Sequence, residues 1–432
     1  MQRPQLAEFI KRMNPDSVAI IASAREATRS NDTLYRYRQD SDFYYLTGFD
    51  EPEAVAVIAP SHKEHKYALF VRPRDPEREI WDGRRAGIEG AQSEYGADAS
   101  FPISEFEEKL TDFLNGANNL YYRIGNGNAE LDETIVKQIR HLRALGRRGM
   151  RAPEAIIDTG VIIHEMRLFK TEEEIEMMQR AADIASEGHI EAMKQARPGM
   201  KEYEIEALVE FVFRKNGASA PAYTSIVGGG ANATVLHYIN NDATLADGDL
   251  LLIDAGAEYK GYASDITRTF PVNGRFTEAQ RDIYNLVLEA QLACIEMVRP
   301  GSRPQDIQKR SVEVLTEGMI RLGLLKGDAE TLIKEEKYKQ FYMHTIGHFL
   351  GLDVHDVGRY HIKDESRQLE PGMVMTVEPG IYISPATKEI PEKYLGIGVR
   401  IEDDVLVTED GNRILSSKAP KQVEEIEELM AR

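Results

Sequence analysis

The sequence predicts two domains. An N-terminal α/β domain spans residues 1–168, and a second domain over 169–432 alternates long helices with strands and carries one pattern twice. Three observations lead there. The 432 residues exceed one ordinary domain. At "LFKTEEEIEMMQRAADIASEGHIEAM" the mixed pattern gives way to a long helix, with Thr171 and Glu174 at capping-box spacing ahead of apolar residues at helical intervals. Finally, "DLLLIDAGAEY" matches "GMVMTVEPGIY": each is an apolar strand ending in a carboxylate, with Gly two residues later and Tyr two or three after that. A further carboxylate strand follows each, "YASDITRTF" with Asp265 and "GIGVRIEDDVLV" with Glu402.

In the first domain the apolar runs "SVAIIASA", "AVAVIAP", "YALFVRP" and "NLYYRIG" read as strands, and "ISEFEEKLTDFLNG" as an amphipathic helix. The second domain places helices at about 171–195, 202–216, 277–298 and 304–323, with a charged helix in "KQVEEIEELMAR". Pro-Gly pairs at 198–199, 300–301, 371–372 and 379–380 punctuate them. Between Asp254 and Asp265, "EYKGY" is a tight-turn sequence. A turn centred on Tyr259-Lys260 sets Asp254 opposite Asp265, and a bulge at Gly261 shifts this slightly.

Composition narrows the class. With 42% hydrophobic and 29% charged residues and no apolar run near the ~18 to 20 of a membrane span, a soluble, cytoplasmic protein without a membrane partner is expected. The N-terminal stretch breaks its apolar positions with Lys11, Arg12 and Asp16, unlike a secretory signal. A net charge of −19 argues against nucleic acid, which requires a basic footprint. Cys294, the only cysteine, lies on the apolar stripe of a helix, so a disulfide framework is excluded and a core position is expected.

The chemistry gathers on acids within apolar strands. A carboxylate there costs several kcal/mol, roughly, unless a partner or a metal neutralises it. Asp254 and Asp265 on neighbouring strands would lie within ~6 Å, where like charges repel unless a cation sits between them; the plainer reading is two exposed turn-flanking acids. Strand alternation points Arg400 and Glu402 the same way, as a surface ion pair or as part of a site. His344, His348 and His355 crowd "MHTIGHFLGLDVHDVG", where Gly347 and Gly351 argue against a regular helix. One nitrogen donor among several carboxylates suits Mn²⁺, Co²⁺, Fe²⁺ or Zn²⁺ rather than a structural zinc. Four carboxylates exceed one ion's needs, and two bridged ions with a hydroxide between them balance the charge. "GGGANAT" lacks the Gly-Lys-Ser/Thr of a phosphate loop, "GNGNAE" lacks the third glycine of a dinucleotide fingerprint, and no G-x-S-x-G elbow occurs.

These segments resemble the metal-binding motifs of the pita-bread metallopeptidases, the family of aminopeptidase P, prolidase and methionine aminopeptidase. The motifs are "LLIDAGAEYKGYASDITRTF", "HTIGHFLGLDVHDVG", "TVEPGIYI" and "GVRIEDDVLVT", and "YRYRQDSDFYYLTGFDEPEAV" resembles the first domain of aminopeptidase P. The resemblance covers nearly the whole chain. It implies a creatinase/prolidase-like N-terminal α/β domain, with an oligomerisation and substrate-access role, and an α+β pita-bread catalytic domain with a pseudo-two-fold repeat. It places two divalent ions, Mn²⁺ first among them, on Asp254, Asp265, His348, Glu378 and Glu402, with Asp265 and Glu402 bridging. The implied reaction is attack of the bridging hydroxide on the peptide bond preceding a penultimate proline, with the substrate amine at one metal. Glu378 would shuttle the proton, His355 and His237 would bond the carbonyl oxygen or the tetrahedral intermediate, and Arg400 would fix the surroundings of Glu402. His344 matches a pocket histidine, and Tyr382 a pocket tyrosine or a packing aromatic. Asp32 and Trp81 match residues that a neighbouring subunit lends to the pocket in a homodimer or homotetramer; the alternative for Trp81 is a core position.

The leading expectation is a metal-dependent Xaa-Pro aminopeptidase acting on peptides with proline second. Prolidase, which cuts only Xaa-Pro dipeptides, shares the C-terminal motifs, and only the N-terminal likeness separates the two. A first domain of this size argues against methionine aminopeptidase, the intact ligand set against metal-free creatinase, and the same set against a non-enzymatic pita-bread binding protein.

Overall fold

The computed structural model describes residues 3–431, which fall into two compact units divided between Arg167 and Leu168. In the first, a six-stranded mixed sheet runs in the order Ala99–Pro102, Tyr67–Val71, Val55–Ile58, Ser17–Ala22, Asn119–Tyr121 and Ala155–Ile157. The central strand Ser17–Ala22 is antiparallel to Val55–Ile58 and parallel to Asn119–Tyr121. Its continuous apolar run reflects cover on both faces. Val18, Ile20, Val57 and Phe70 pack with residues of the helices Phe106–Leu114 and Ala129–Ala144, while the alternating Ala19, Ile21, Ala56 and Ile58 are buried as well. Full burial of each such aliphatic side chain contributes about 1.5–3 kcal/mol over exposure.

The second unit is built twice over from a helix pair followed by an antiparallel strand pair. Helices Glu172–Gln195 and Glu202–Lys215 precede strands Leu250–Asp254 and Thr267–Pro271; helices Glu278–Ile295 and Pro304–Arg321 precede Val374–Val377 and Asp403–Val407. The first helix starts on the Thr171–Glu174 capping box expected of it, and Glu278–Ile295 starts on an equivalent one at Thr277 and Gln280. Cys294 is buried in that helix. The halves join where the Glu402 N–H donates to the Thr267 carbonyl at 3.1 Å. No helix among the described residues is long and apolar enough to cross a membrane.

The turn between the two aspartates departs from the expected register. Tyr259 pairs with Tyr262 and Asp254 with Thr267, so the turn centres on Lys260-Gly261, at φ 50° and 85°, rather than on Tyr259-Lys260. Two consecutive positive φ values give the backbone twist a two-residue hairpin favours, and Gly261 makes the second inexpensive. Asp265 thereby moves off Asp254 towards Gly256. A Cβ on Gly256 would stand 1.7 Å from the Ser264 carbonyl oxygen, so only glycine lets the strands cross here.

Candidate metal centre

Each half delivers its acids at strand ends. Asp254 closes its strand and Asp265 lies two residues before Thr267–Pro271; Glu378 follows Val374–Val377 and Glu402 precedes Asp403–Val407. Side chains at such ends leave the ladder but keep its rigidity, so four acids and the loop histidines converge on one cleft of about 790 Å³. Among the described residues, Asp265, His348 and Glu402 offer ligand atoms all within 4.8 Å of one another. His348 Nε2 lies 3.3 Å from Asp265 Oδ2 and 3.7 Å from Glu378 Oε1. Its Nδ1 lies 3.0 Å from the Phe349 carbonyl; donation there leaves the Nε2 lone pair facing the acids, as a metal ligand requires.

Asp254 is tied in through Tyr223, whose hydroxyl is 2.6 Å from Asp254 Oδ1 and 2.5 Å from Asp265 Oδ1. One phenolic proton cannot be donated to both. The residual charge is large. Burial, then Asp265, Glu378 and Asp254, push the Glu402 carboxyl well above the usual carboxylate range. Burial also raises Glu378, with His348 pulling the other way. Burial pulls the His348 imidazole down, yet Asp265 and Glu378 outweigh it and carry it up to about 9. Burial and crowding by like charges favour protons on the two glutamates, and the carboxylates favour the extra proton on His348. A divalent ion in place of those protons relieves the same crowding, and the oxygen-rich donor set with one imidazole fits Mn²⁺, Co²⁺, Fe²⁺ or Zn²⁺.

Around these five, Arg400 touches Asp254 rather than Glu402. Its Nη2 stands 2.5 Å from Asp254 Oδ2, its Nη1 donates to the Tyr382 hydroxyl at 3.0 Å and its Nε to the Thr267 hydroxyl at 3.1 Å. Thr267 in turn donates to Glu402 Oε2 at 2.6 Å, so Arg400 reaches Glu402 only through that hydroxyl. Tyr382 is not in the cleft lining but packs with Ile226, Ala233 and Leu252 behind it, and its hydroxyl bonds His344 Nε2 at 2.8 Å. Burial pulls His344 down to about 4, so it is neutral and its Nε2 accepts. His237 and His355 line the cleft and are exposed to it; the His355 ring meets His348 edge-on at 4.3 Å between centroids. The segment from His344 to His355 is irregular, as its glycines imply.

The cleft lining comes from the C-terminal unit, and Asp32 and Trp81 are not part of it. Asp32 tips the exposed hairpin of Thr28–Ser30 and Thr33–Leu34. Trp81, on helix Pro76–Asp82, is 84% exposed beside Ile80, which overturns the core alternative. Sequence reasoning missed Tyr223, Thr267 and Asp404. Asp404 is buried, accepts the Asp265 N–H at 3.1 Å, and is held well above the usual range by burial and by Asp265. Its signal was the run of three acids in "IEDD"; Tyr223 in "APAYTSIV" had none.

Comparison with known proteins identifies the family. The model of metallopeptidase family M24 matches residues 176–409, and that of the aminopeptidase P N-terminal domain residues 3–121. The Xaa-Pro aminopeptidase of Escherichia coli (strain K12) is 48% identical over 98% of this chain and 95% of its own; that of Haemophilus influenzae is 46% identical over 97% and 94%. Aminopeptidase PepP of Pseudomonas aeruginosa superposes with a TM-score of 0.97 at 49% identity, covering 99% of this chain and 96% of that one. Zinc-substituted E. coli aminopeptidase P in complex with product gives 0.95 at 47%, over 99% and 96%. The chain belongs to metallopeptidase family M24, in its aminopeptidase P branch.

Proposed function

We propose that the protein is an Xaa-Pro aminopeptidase that hydrolyses the first peptide bond of chains with proline second, using two divalent ions, Mn²⁺ in the cell. The observation that carries this is the set of four strand-end acids and one tautomer-fixed histidine in a single cleft, within a chain almost half identical to proteins named for that activity. Asp254, Asp265, His348, Glu378 and Glu402 would hold the ions, with Asp265 and Glu402 shared between them. When bound, such ions supply a water deprotonated near neutral pH and polarise the scissile carbonyl.

The remaining work falls to side chains. Glu378, whose carboxyl burial pushes upward, takes the proton lost by the attacking water and delivers it to the proline nitrogen, which must be protonated to leave. His355 and His237, on the open side of the cleft, donate to the carbonyl oxygen as charge develops on it. Arg400 restrains Asp254, and through Thr267 it also steadies Glu402. His344 lines the cleft and is held in place by the buried Tyr382 hydroxyl behind it.

We place the protein in the cytoplasm as a homo-oligomer whose N-terminal unit lends Asp32 and Trp81 to a neighbouring copy. The exposed Ile80-Trp81 pair supports this, since solvent alone gives no reason for such a surface. The test compares Arg-Pro-Pro, Arg-Pro and Arg-Ala-Ala, with Mn²⁺ and with chelator. Metal-dependent release of arginine from Arg-Pro-Pro is expected. Cleavage of Arg-Pro alone would move the assignment to prolidase, and no metal-dependent cleavage would remove the peptidase reading.

A further inference from the structure

We propose that Lys170 and Asp356 form a positioning pair that sets the His355 imidazole in the cleft. This rests on reading His355 as a group that touches substrate. The pair is buried: Lys170 Nζ donates to Asp356 Oδ2 at 3.0 Å, and each side chain is 1% exposed. A buried ion pair is no better for stability than well-packed apolar residues, so its retention calls for a geometric reason.

The reason lies in what the pair connects. Lys170 precedes the N-cap of helix Glu172–Gln195, and its N–H donates to the Gly372 carbonyl at 2.9 Å. Gly372 leads into strand Val374–Val377, which delivers Glu378. The cation therefore stands on the rigid frame of the metal centre. Its partner stands on the irregular segment 350–358, which has neither helix nor strand to hold it. His355 lies one residue before Asp356. Among the described residues its ring makes the edge-on contact with His348 and no hydrogen bond of its own, so the backbone of that segment sets its place. The links that hold the segment include Leu350 N–H to the Val374 carbonyl at 3.0 Å, Asp356 N–H to the Phe349 carbonyl at 2.8 Å, Ala263 N–H to the Gly351 carbonyl at 2.8 Å, and the ion pair, of which only the ion pair reaches the side chain next to His355. Packing beneath is tight. A Cβ on Gly351 would stand 2.2 Å from Asp356 Oδ2 and 3.1 Å from Lys170 Cε.

The experiment uses the full chain loaded with Mn²⁺ and the variants Lys170→Met, His355→Ala, their combination, and Lys170→Met with Asp356→Leu. Steady-state kinetics on Arg-Pro-Pro, Mn²⁺ titration calorimetry and thermal unfolding are read for each. A group displaced by about 1 Å costs on the order of 100-fold in rate. Lys170→Met is thus expected to lower kcat by about 10- to 100-fold, with KM and Mn²⁺ affinity within about twofold of the parent. Adding Lys170→Met to His355→Ala should cost nothing further. The variant that joins Lys170→Met to Asp356→Leu, with an apolar pair in place of the ionic one, should regain the parental Tm yet stay slow, which separates positioning from folding. Losses that multiply when Lys170→Met is added to His355→Ala, or a parental kcat in Lys170→Met, would overturn the pair while leaving His355 in its role. A parental kcat in His355→Ala would remove the reading of His355, and the pair with it.

Discussion

Replacing Glu402 by Gln tests the metal centre through stability, independently of turnover. In the metal-free protein burial and the neighbouring acids push this carboxyl well above the usual range, which favours its protonated form. Gln has the shape of that protonated acid, and its oxygen can still accept from Thr267, now at 2.6 Å. With chelator present, E402Q should therefore unfold within about 1 kcal/mol of the parent, the size of one altered hydrogen bond. With Mn²⁺ at 100 times its Kd, the parent gains about 2.7 kcal/mol. For a unit of this size that is a rise of about 5–10 °C, at roughly 2–4 °C per kcal/mol.

The variant keeps an oxygen at the site but loses the charge that a divalent ion requires. Groups that merely support a ligand are worth 10- to 100-fold in affinity, so loss of a shared ligand should weaken Mn²⁺ by at least about 100-fold. At the same Mn²⁺ concentration its gain then shrinks to about 0.4 kcal/mol, or about 1 °C. Scanning calorimetry with chelator and with Mn²⁺, on both proteins, reads all four values. A full parental rise in E402Q would show that Glu402 does not hold metal. A loss above about 3 kcal/mol in chelator would make it a structural carboxylate, because the argument from its protonated form would be wrong.

Asp403→Asn should cost about 3–5 kcal/mol, since it strands the buried Arg268, 2.8 Å away, and leaves Lys421 without its ion partner. Burial raises the Asp403 carboxyl, but Arg268 and Lys421 outweigh it and hold it below its ordinary value; its stabilisation is therefore present above the unfolded pKa, near 4, and is lost as pH falls through the folded one. Urea titrations between about pH 5 and 2 should show a shallower acid loss in the variant, and an unchanged slope would count against the assignment. Tyr223→Phe removes the hydroxyl shared by Asp254 and Asp265 and should weaken Mn²⁺ by about 10- to 100-fold in calorimetric titration, an unchanged affinity refuting that role. Trp81→Ala alters an exposed side chain, so monomer stability should stay within about 0.5 kcal/mol; a fall in kcat/KM on Arg-Pro-Pro is expected if a neighbouring copy borrows it, and parental kinetics would argue against sharing.

What the sequence made legible followed from repetition of simple patterns. The capping box at Thr171, the apolar stripe through Cys294 and the strands ending in Asp254 and Glu378 each state their structure locally, because 3.6- and 2-residue periods are properties of single segments. The acids stood out for a related reason: a carboxylate closing an apolar run is costly without a partner, and cost is visible in one dimension. The hairpin register was harder. Moving the turn from Tyr259-Lys260 to Lys260-Gly261 re-pairs Asp254 with Thr267 instead of Asp265, yet in the sequence the two turns differ only in which two residues take positive φ. Lys260 at φ 50° is a choice the crossing strands impose, not one its own propensity suggests.

The supporting residues were illegible for a different reason. Tyr223, Thr267 and Lys170 act on groups 31, 135 and 186 residues away, at distances set only by the tertiary fold, and for Thr267 and Lys170 only when the two halves close on each other. None carries a local signature, since a tyrosine, a threonine or a lysine is unremarked wherever it stands. Arg400 shows the limit well. Strand alternation aimed it to the same side as Glu402, and there it is; yet its charge went to Asp254 on the other half, with Thr267 between it and Glu402. Alternation fixes the face a side chain takes, whereas its partner is fixed by which strand the fold lays across that face. A site assembled from two related halves therefore announces its ligands twice along the chain, while bonds such as Arg400 to Asp254 and Thr267 to Glu402 run between the halves and are written in neither.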